Sequence, residues 1–406
     1  MVASTFLCPL SNLYMAQVTT AITTTPTTLA EPNLEERDNK HEKQAPTTKV
    51  FNDSSTATVM GMAMGYGIET YQIFVGSLRR TGYTGNIILA VSSDIKANSE
   101  HYLKSQNVIL HKTTIVECHE NITAKFNPRE SSKHAQEAIT CIAPYDTIKV
   151  RWGRYPVLRD QLIACKTCTG PVLITDVRDT LFQRDPFASG YDLGHTLDDT
   201  TTVKEGSIQV FQEHKSISTQ HWLVKFKLRT CKNELQYHEP MLCSGTTIAA
   251  TKQAMIFYLN QMHDEMKVWL ADGKCHFAGN GDDQAIHNYL YYAGKLAPYA
   301  VAIPNRMGMV HTVGAQGAMI LAAQQQYLKT MGPAATTPNT PEANAAPMRR
   351  HQQWLDPVYD LTDDGGYFTN YDGQRSPVVH QYDRFGAIFS HFWVRDHSNL
   401  TDLKLK

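Results

Sequence analysis

The chain has 406 residues, 38 Lys+Arg against 39 Asp+Glu, a formal net charge of -1 and a hydrophobic fraction of 42%. Balanced charge, with only 19% charged residues, gives no electrostatic footprint for nucleic acid and excludes a highly charged disordered polymer. The length fits one large domain or two smaller ones, and no apolar run approaches the ~20 residues of a membrane-spanning helix.

No Lys or Arg precedes Arg37, and Pro9, Ser11 and Asn12 interrupt the first apolar run, so a secretory signal is expected to be absent, atypical or outside this chain. Residues 19–48 are rich in Thr, Pro, Glu and Lys without helical or strand periodicity, which makes residues 1–55 an expected flexible stem or tail. From there on, apolar segments alternate in period. Residues 56–64 predict a strand stopped by Gly65-Tyr66-Gly67. Residues 68–78 predict a helix stopped near Gly82, with Arg79 and Arg80 at its cation-favouring C-terminus. Strands are expected over 86–91 and 108–117, with a short helix over 95–105 between them. Residues 155–165 read as a helix, 171–175 as a buried strand and 285–292 as a helix opened by Asn280-Gly281-Asp282. Residues 332–347, rich in Ala, Pro and Thr, predict a surface loop. This alternation implies an α/β fold with a mostly parallel sheet flanked by helices, whose ligands gather beyond the carboxyl ends of the strands.

Eight cysteines are too few for a disulfide-built scaffold. The one close pair, Cys165 and Cys168, has no second pair to complete a zinc site. Ordinary buried thiols, or one or two disulfides of an oxidising lumen, are expected.

The sharpest chemical feature follows the 171–175 run, which leads straight into Asp176, Arg178 and Asp179. Carboxylates closing a hydrophobic strand set hard oxygen ligands at a sheet edge, which suits Mg2+ or Mn2+ bound together with substrate phosphates. The same residues also read as a capped turn with Arg178 as a surface partner. Asp176-Val-Arg-Asp179-Thr180 is similar to the DxDxT motif of haloacid-dehalogenase-like phosphotransferases, but its second carboxylate stands at +3 rather than +2 and it comes well after the first strand.

More of the chain resembles the nucleotide-sugar glycosyltransferases of the GT-A fold, of the eukaryotic type carrying DxRD…FQxDPF and HQYDR strings. Gly61 to Tyr66 resembles their nucleotide-binding first strand, and Cys243-Ser244-Gly245 their Asn-Ser-Gly strand. Asp282-Asp283-Gln284 resembles the Asp-Gln segment beside the donor sugar, and His380-Gln-Tyr-Asp-Arg384 the late strand whose His completes a metal site. The order matches as well. Arg178 stands at the second Asp of a strict DxD, and Cys243 at the usual Asn.

The resemblance implies one GT-A-like catalytic domain over residues 56–406. It implies Mn2+ or Mg2+ at Asp176, Asp179 and His380, and donor contacts at Met64, Gly65, Tyr66, Arg178, Ser244, Gly245 and Arg384. Arg151 and Arg154, just before the 155–165 helix, face either the donor or solvent; Arg154 joins the donor set. Asp282, Asp283 and Gln284 are the candidates for catalysis at the anomeric carbon. The implied reaction moves a sugar from a nucleoside-diphosphate sugar to a glycan, protein or small-molecule hydroxyl, with retention and metal assistance, in the Golgi or ER lumen. An aspartate-dependent phosphotransferase and a non-catalytic sugar-nucleotide-binding relative are the alternatives. His214, His221, His238 and His263 read as surface or hydrogen-bonded core residues, Tyr289–Tyr292 as core, and His311 as a cleft-lining candidate. Trp354, Tyr367 and Tyr371 are acceptor-side candidates.

Overall fold

In β1 (Thr58–Ala63) and β2 (Asn86–Ser92) nearly every side chain is apolar, as a strand covered on both faces requires. Successive residues serve opposite layers. Val59, Ala63, Ile87, Leu89 and Val91 pack on one side; Met60, Ile88 and Ala90 pack on the other. The first layer is closed by α1 (Ile68–Arg80), whose Tyr71, Phe74, Val75 and Leu78 recur at helical spacing, and by α2 (Ala97–Ser105) through Leu103. The other is closed by α3 (Val150–Ala164), α4 (Lys252–Ala271) and α5 (Asp282–Tyr292), through Trp152, Leu158, Tyr258, Trp269 and Ile286. Each such buried side chain contributes roughly 1.5–3 kcal/mol relative to exposure.

The computed structural model describes residues 54–119, 140–188, 190–191, 203–217, 239–272, 282–314, 361–363, 365–385, 393–394 and 397–398. Residues 1–53 of the expected stem, the 332–347 loop, Trp354, His221 and His238 lie outside them. No helix of the described residues is long and apolar enough to cross a membrane.

The central sheet has seven strands in the order β11-β9-β10-β7-β1-β2-β3, with β3 (Val108–Thr113), β7 (Val172–Thr175), β9 (Ile208–Ser216), β10 (Pro240–Ala249) and β11 (Ala300–Ile303) completing it. β1, β2, β3 and β7 run parallel, while β10 runs against both β7 and β9. This is the expected α/β architecture. A second sheet, β12-β13-β8, joins β12 (Val310–Thr312), β13 (Val378–His380) and β8 (Thr180–Phe182).

Two expected elements differ. The 108–117 strand breaks at Thr114: β3 stays in the central sheet, whereas β4 (Ile115–Glu117) pairs with β5 (Thr140–Ile142) in a small antiparallel sheet with β6 (Tyr145–Lys149). The Cys118–Cys141 disulfide fastens that corner, and Cys165–Cys168 closes the loop after α3. The 155–165 helix starts earlier, at Val150, so Arg154 lies inside it rather than before it. Tertiary packing extends it: Trp152 is buried, and Gly153 lies so close to Ile142 that a Cβ would come within 1.9 Å of Ile142 Cγ2. Arg79 meets its expected role, donating to the carbonyls of Tyr83, Gly85 and Gln106.

Two histidines sit in the helical layer. Burial, the leading cause in both, lowers His263 to about 4 and His287 to about 3. An unfolded histidine titrates near 6.5, so below that pH the unfolded chain takes up protons that the native one refuses. Stability therefore falls as pH drops from about 6.5 through these lowered values. His287→Gln is expected to reduce the loss of unfolding free energy between about pH 7 and about pH 4.5 by about 3 kcal/mol. Urea denaturation at both pH values measures it, and an unchanged difference would show that His287 carries no such penalty.

Candidate active site

β7 delivers Asp176 to the carboxyl edge of the parallel strands, beside the end of β1. The turn that follows crosses from the central sheet into the second one, since Asp179 directly precedes β8. Gly61 in β1 makes room for it: a Cβ there would stand 2.4 Å from Val177 Cγ2 and 2.8 Å from the Thr175 carbonyl. Buried hydroxyls fasten its ends, with Thr175 Oγ1 2.9 Å from Thr180 Oγ1 and 3.1 Å from Thr246 Oγ1.

β8 pairs with β13 so that Thr180 stands opposite His380. The Gln381 amide, at φ +63°, then donates to the Asp179 carbonyl at 2.7 Å. From the other side, β10 carries a bulge. Cys243 pairs with Phe211 and Thr247 with Val210, so residues 244–246 are extra on the β9 side, while Thr246 still pairs with Thr175 of β7. The Gly245 carbonyl within that bulge accepts from the Asp176 amide at 2.8 Å. Gly245 itself is the floor beneath the imidazole, because a Cβ would fall 2.6 Å from His380 Cε1 and 2.7 Å from Asp176 Oδ2.

The three expected metal ligands are thereby brought together. His380 Nε2 lies 3.7 Å from Asp176 Oδ2 and 3.6 Å from Asp179 Oδ1. Among the described residues, these three form the one group of His, Cys, Asp and Glu side chains whose ligand atoms all lie within 4.8 Å of one another. His380 Nε2 and Asp179 Oδ1 are buried and hydrogen-bonded to nothing in the protein. Buried polar atoms are normally satisfied, so these two facing atoms fit a cation held between them. Two carboxylate oxygens and an imidazole also suit Mn2+ or Mg2+.

Each carboxylate divides its oxygens. Asp176 turns Oδ2 to His380 and gives Oδ1 to Arg154 Nη1 at 2.5 Å. Asp179 turns Oδ1 to His380 and faces Arg178 and Arg384 with Oδ2, at 3.4 Å each. Burial would raise the Asp176 carboxyl, but Arg154 and then His380 hold it well below the usual carboxylate range. Asp179 lacks so close a guanidinium, and burial raises its carboxyl against the pull of His380.

Arg154, from the second turn of α3, also reaches Asp283 Oδ2 at 2.6 Å, the Tyr155 hydroxyl at 2.8 Å and the Ser244 carbonyl at 3.1 Å. Its guanidinium is thus engaged by protein groups on two sides. Asp283 is held near the cluster at the start of α5. Gln284 is buried, and its amide nitrogen donates inward to Glu213 Oε1 and the Leu242 carbonyl. The Asp282 side chain lies outside the described set, although its backbone opens α5.

Arg178 and Arg384 are half exposed at the rim and share Asp383, at 3.2 and 3.3 Å. Tyr66 stands at the same rim; burial and then Asp176 raise its phenol, with Arg178 opposing. Gly65, at φ +74°, donates its amide to Ser92 Oγ, and Met64 packs against the helical layer. The sequence reading passed over Asp383, three residues beyond His380 in the quoted string, and the contact between Cys243 and His380. The first had a visible signal in its spacing; the second depends on the β10 bulge, which leaves none.

Other readings resolve plainly. His311 is fully buried on β12, edge-on to Phe368, and lines no open cleft. Tyr289 packs on Trp269 in the core, as expected. His263 lies against Arg159 and Tyr145, and His214 is exposed. Tyr367 packs on His397 and Arg375, while Tyr371 is exposed beside Arg306.

No family model and no curated protein matches the chain. Among solved structures it is similar to the galactosyltransferase LgtC in complex with donor and acceptor sugar analogs, at 12% identity and a TM-score of 0.42, covering 86% of this chain and 97% of that one. It is similar to the glycosyltransferase GlyE of Streptococcus pneumoniae, at 10% identity and a TM-score of 0.38, covering 85% and 61%. A third is the mannosyltransferase PcManGT of Pyrobaculum calidifontis in complex with GDP-Man and Mn2+, at 12% identity and a TM-score of 0.29, covering 71% and 68%. Likenesses this distant leave the functional reading to rest on the side chains.

Gly245→Ala is expected to push His380 and Asp176 apart and to weaken Mn2+ binding by roughly tenfold or more, the scale of losses when a ligand's support is disturbed. Calorimetric titration with Mn2+ measures this, alongside a melting curve. Unchanged affinity in a folded variant would mean that the cluster does not rest on this glycine.

Proposed function

We propose that the chain is a metal-assisted, retaining glycosyltransferase that moves a sugar from a nucleoside-diphosphate sugar to a hydroxyl acceptor. The observation that carries this is the Asp176–Asp179–His380 cluster, buried at Asp179 and His380, open at His380 Nε2 and Asp179 Oδ1 and rimmed by half-exposed Arg178 and Arg384. It stands beyond the ends of parallel strands, where such sheets receive phosphorylated ligands.

Sugar transfer needs charge stabilisation on a departing diphosphate and orientation of the anomeric carbon. A divalent cation at Asp176, Asp179 and His380 would neutralise part of the developing phosphate charge. Arg178 and Arg384, the rim guanidiniums of the cluster, supply further donors for the same oxygens. Asp283, fixed by Arg154, offers a carboxylate on the α5 side for sugar hydroxyls or the anomeric carbon, with Asp282 and Gln284 in the same segment. Tyr66 and the Gly65 backbone close the donor side, and exposed Tyr371 is the acceptor-side candidate. We also place the enzyme in an oxidising lumen such as the Golgi or ER, which the two disulfides favour.

A panel of nucleotide sugars, assayed for nucleotide release with Mn2+ and with chelator, tests the proposal. Release is expected with Mn2+, and Asp176→Asn or His380→Ala should lower it by about 10²-fold or more, as loss of a charge-stabilising group does. Activity confined to phosphate monoesters would overturn it in favour of a phosphotransferase, and saturable binding without turnover in favour of a binding protein. Proton NMR of the product anomer tests retention.

A further inference from the structure

His380 uses Nε2 to face the two carboxylates, and its other ring nitrogen, Nδ1, lies 3.4 Å from Cys243 Sγ. Cys243 is a buried free thiol on β10, two residues before Gly245, so one stretch of strand supplies both the floor under the ring and the atom at its far edge. Gln381 Nε2 donates toward the same sulfur at 3.9 Å. Cys243 Sγ therefore has two nitrogens directed at it, and a thioether-sized sulfur with two lone pairs accepts weakly from both. A metal-binding histidine needs its second nitrogen held by an acceptor, because that bond fixes which nitrogen carries the proton. Carboxylates and carbonyls usually do this; here the described residues offer a sulfur.

Resting on the metal-assisted reading above, we propose that Cys243 is a positioning residue that accepts a hydrogen bond from His380 Nδ1–H and so keeps the Nε2 lone pair turned toward Asp176 and Asp179 for a divalent cation. The unpartnered, fully buried state of His380 Nε2 and of Asp179 Oδ1 is the independent sign that the ring is aimed at something outside the protein. Removing the sulfur leaves Nδ1 without its acceptor and lets the ring turn, so that Nε2 is no longer held facing Asp176 and Asp179.

Three variants separate the role from mere packing. Cys243→Ala removes the acceptor and is expected to weaken Mn2+ binding roughly 10–100-fold. Cys243→Asn is nearly equal in volume to the thiol, and its carboxamide oxygen reaches about 0.6 Å farther from Cβ, into ordinary hydrogen-bond range of Nδ1. It is expected to bring Mn2+ affinity back to the wild-type range. Cys243→Val fills the space without an acceptor and should behave like Ala. Mn2+ affinity is read by calorimetric titration of each variant, alongside a melting curve. Wild-type Mn2+ affinity in the folded Ala and Val variants, or a loss in Cys243→Asn as large as in Ala, would overturn it while leaving the metal site intact. Failure of the wild type itself to bind Mn2+ would overturn both this role and the metal-assisted reading.

Discussion

Everything at the site depends on burying an imidazole between two carboxylates where two sheets meet. His380 is fully enclosed and Asp179 nearly so, which withdraws both from bulk water. Removing charged groups from water costs several kcal/mol each unless they are paired. The structure answers by giving each carboxylate one arginine-facing oxygen and one cluster-facing oxygen. Arg154 supports Asp176 from within α3, and Arg178 with Arg384 supports Asp179 from the rim. The guanidiniums thus lower the cost of the carboxylates without filling the space between them. Four carboxylates, counting Asp283 and Asp383, share three guanidiniums and the His380 ring.

The second sheet exists to make that arrangement possible. Asp176 belongs to the central sheet and His380 to the small one, and the 176–179 turn spans the two. Without the β8–β13 pairing, Thr180 would not stand opposite His380, and the imidazole would have no fixed relation to either carboxylate. Gly61 packs against the start of the turn and Gly245 against the imidazole and Asp176, and at both a single methyl group would collide. Packing, not local propensity, determines these two positions.

This explains what was legible in the sequence and what was not. The period of the apolar residues located β1, β2, α1 and the strand before Asp176 to within a few residues, because each is buried along its whole length or along one face. The approach of Asp176, Asp179 and His380 was anticipated only through resemblance; spacing alone could not bring together residues separated by the whole C-terminal half. The break at Thr114 escaped because both halves of the 108–117 run have strand-like composition, and a disulfide to Cys141 redirects the second. The early start of α3 escaped because Pro156 looks like a first-turn residue, whereas the fit of Gly153 against Ile142 is visible only in three dimensions. Arg154 read as a solvent or donor contact for the same reason, since its place inside the helix is what turns it toward Asp176 and Asp283.

A net charge of -1 over 406 residues gives an anionic ligand nothing to follow from a distance. Screening limits the rim arginines to about 8–10 Å at physiological salt, so attraction begins only at the mouth of the site. Affinity must then come from short-range geometry, and geometry of this kind is sensitive to the identity of the cation. Asp179 Oδ2 faces Nη2 of both Arg178 and Arg384, and Asp383 lies between the same two side chains. A lysine keeps the charge but not the planar fork that lets one side chain address two carboxylates at once. The rim is therefore specified by the shape of guanidinium as much as by its charge, which is why it can hold Asp179 in place and still present donors outward.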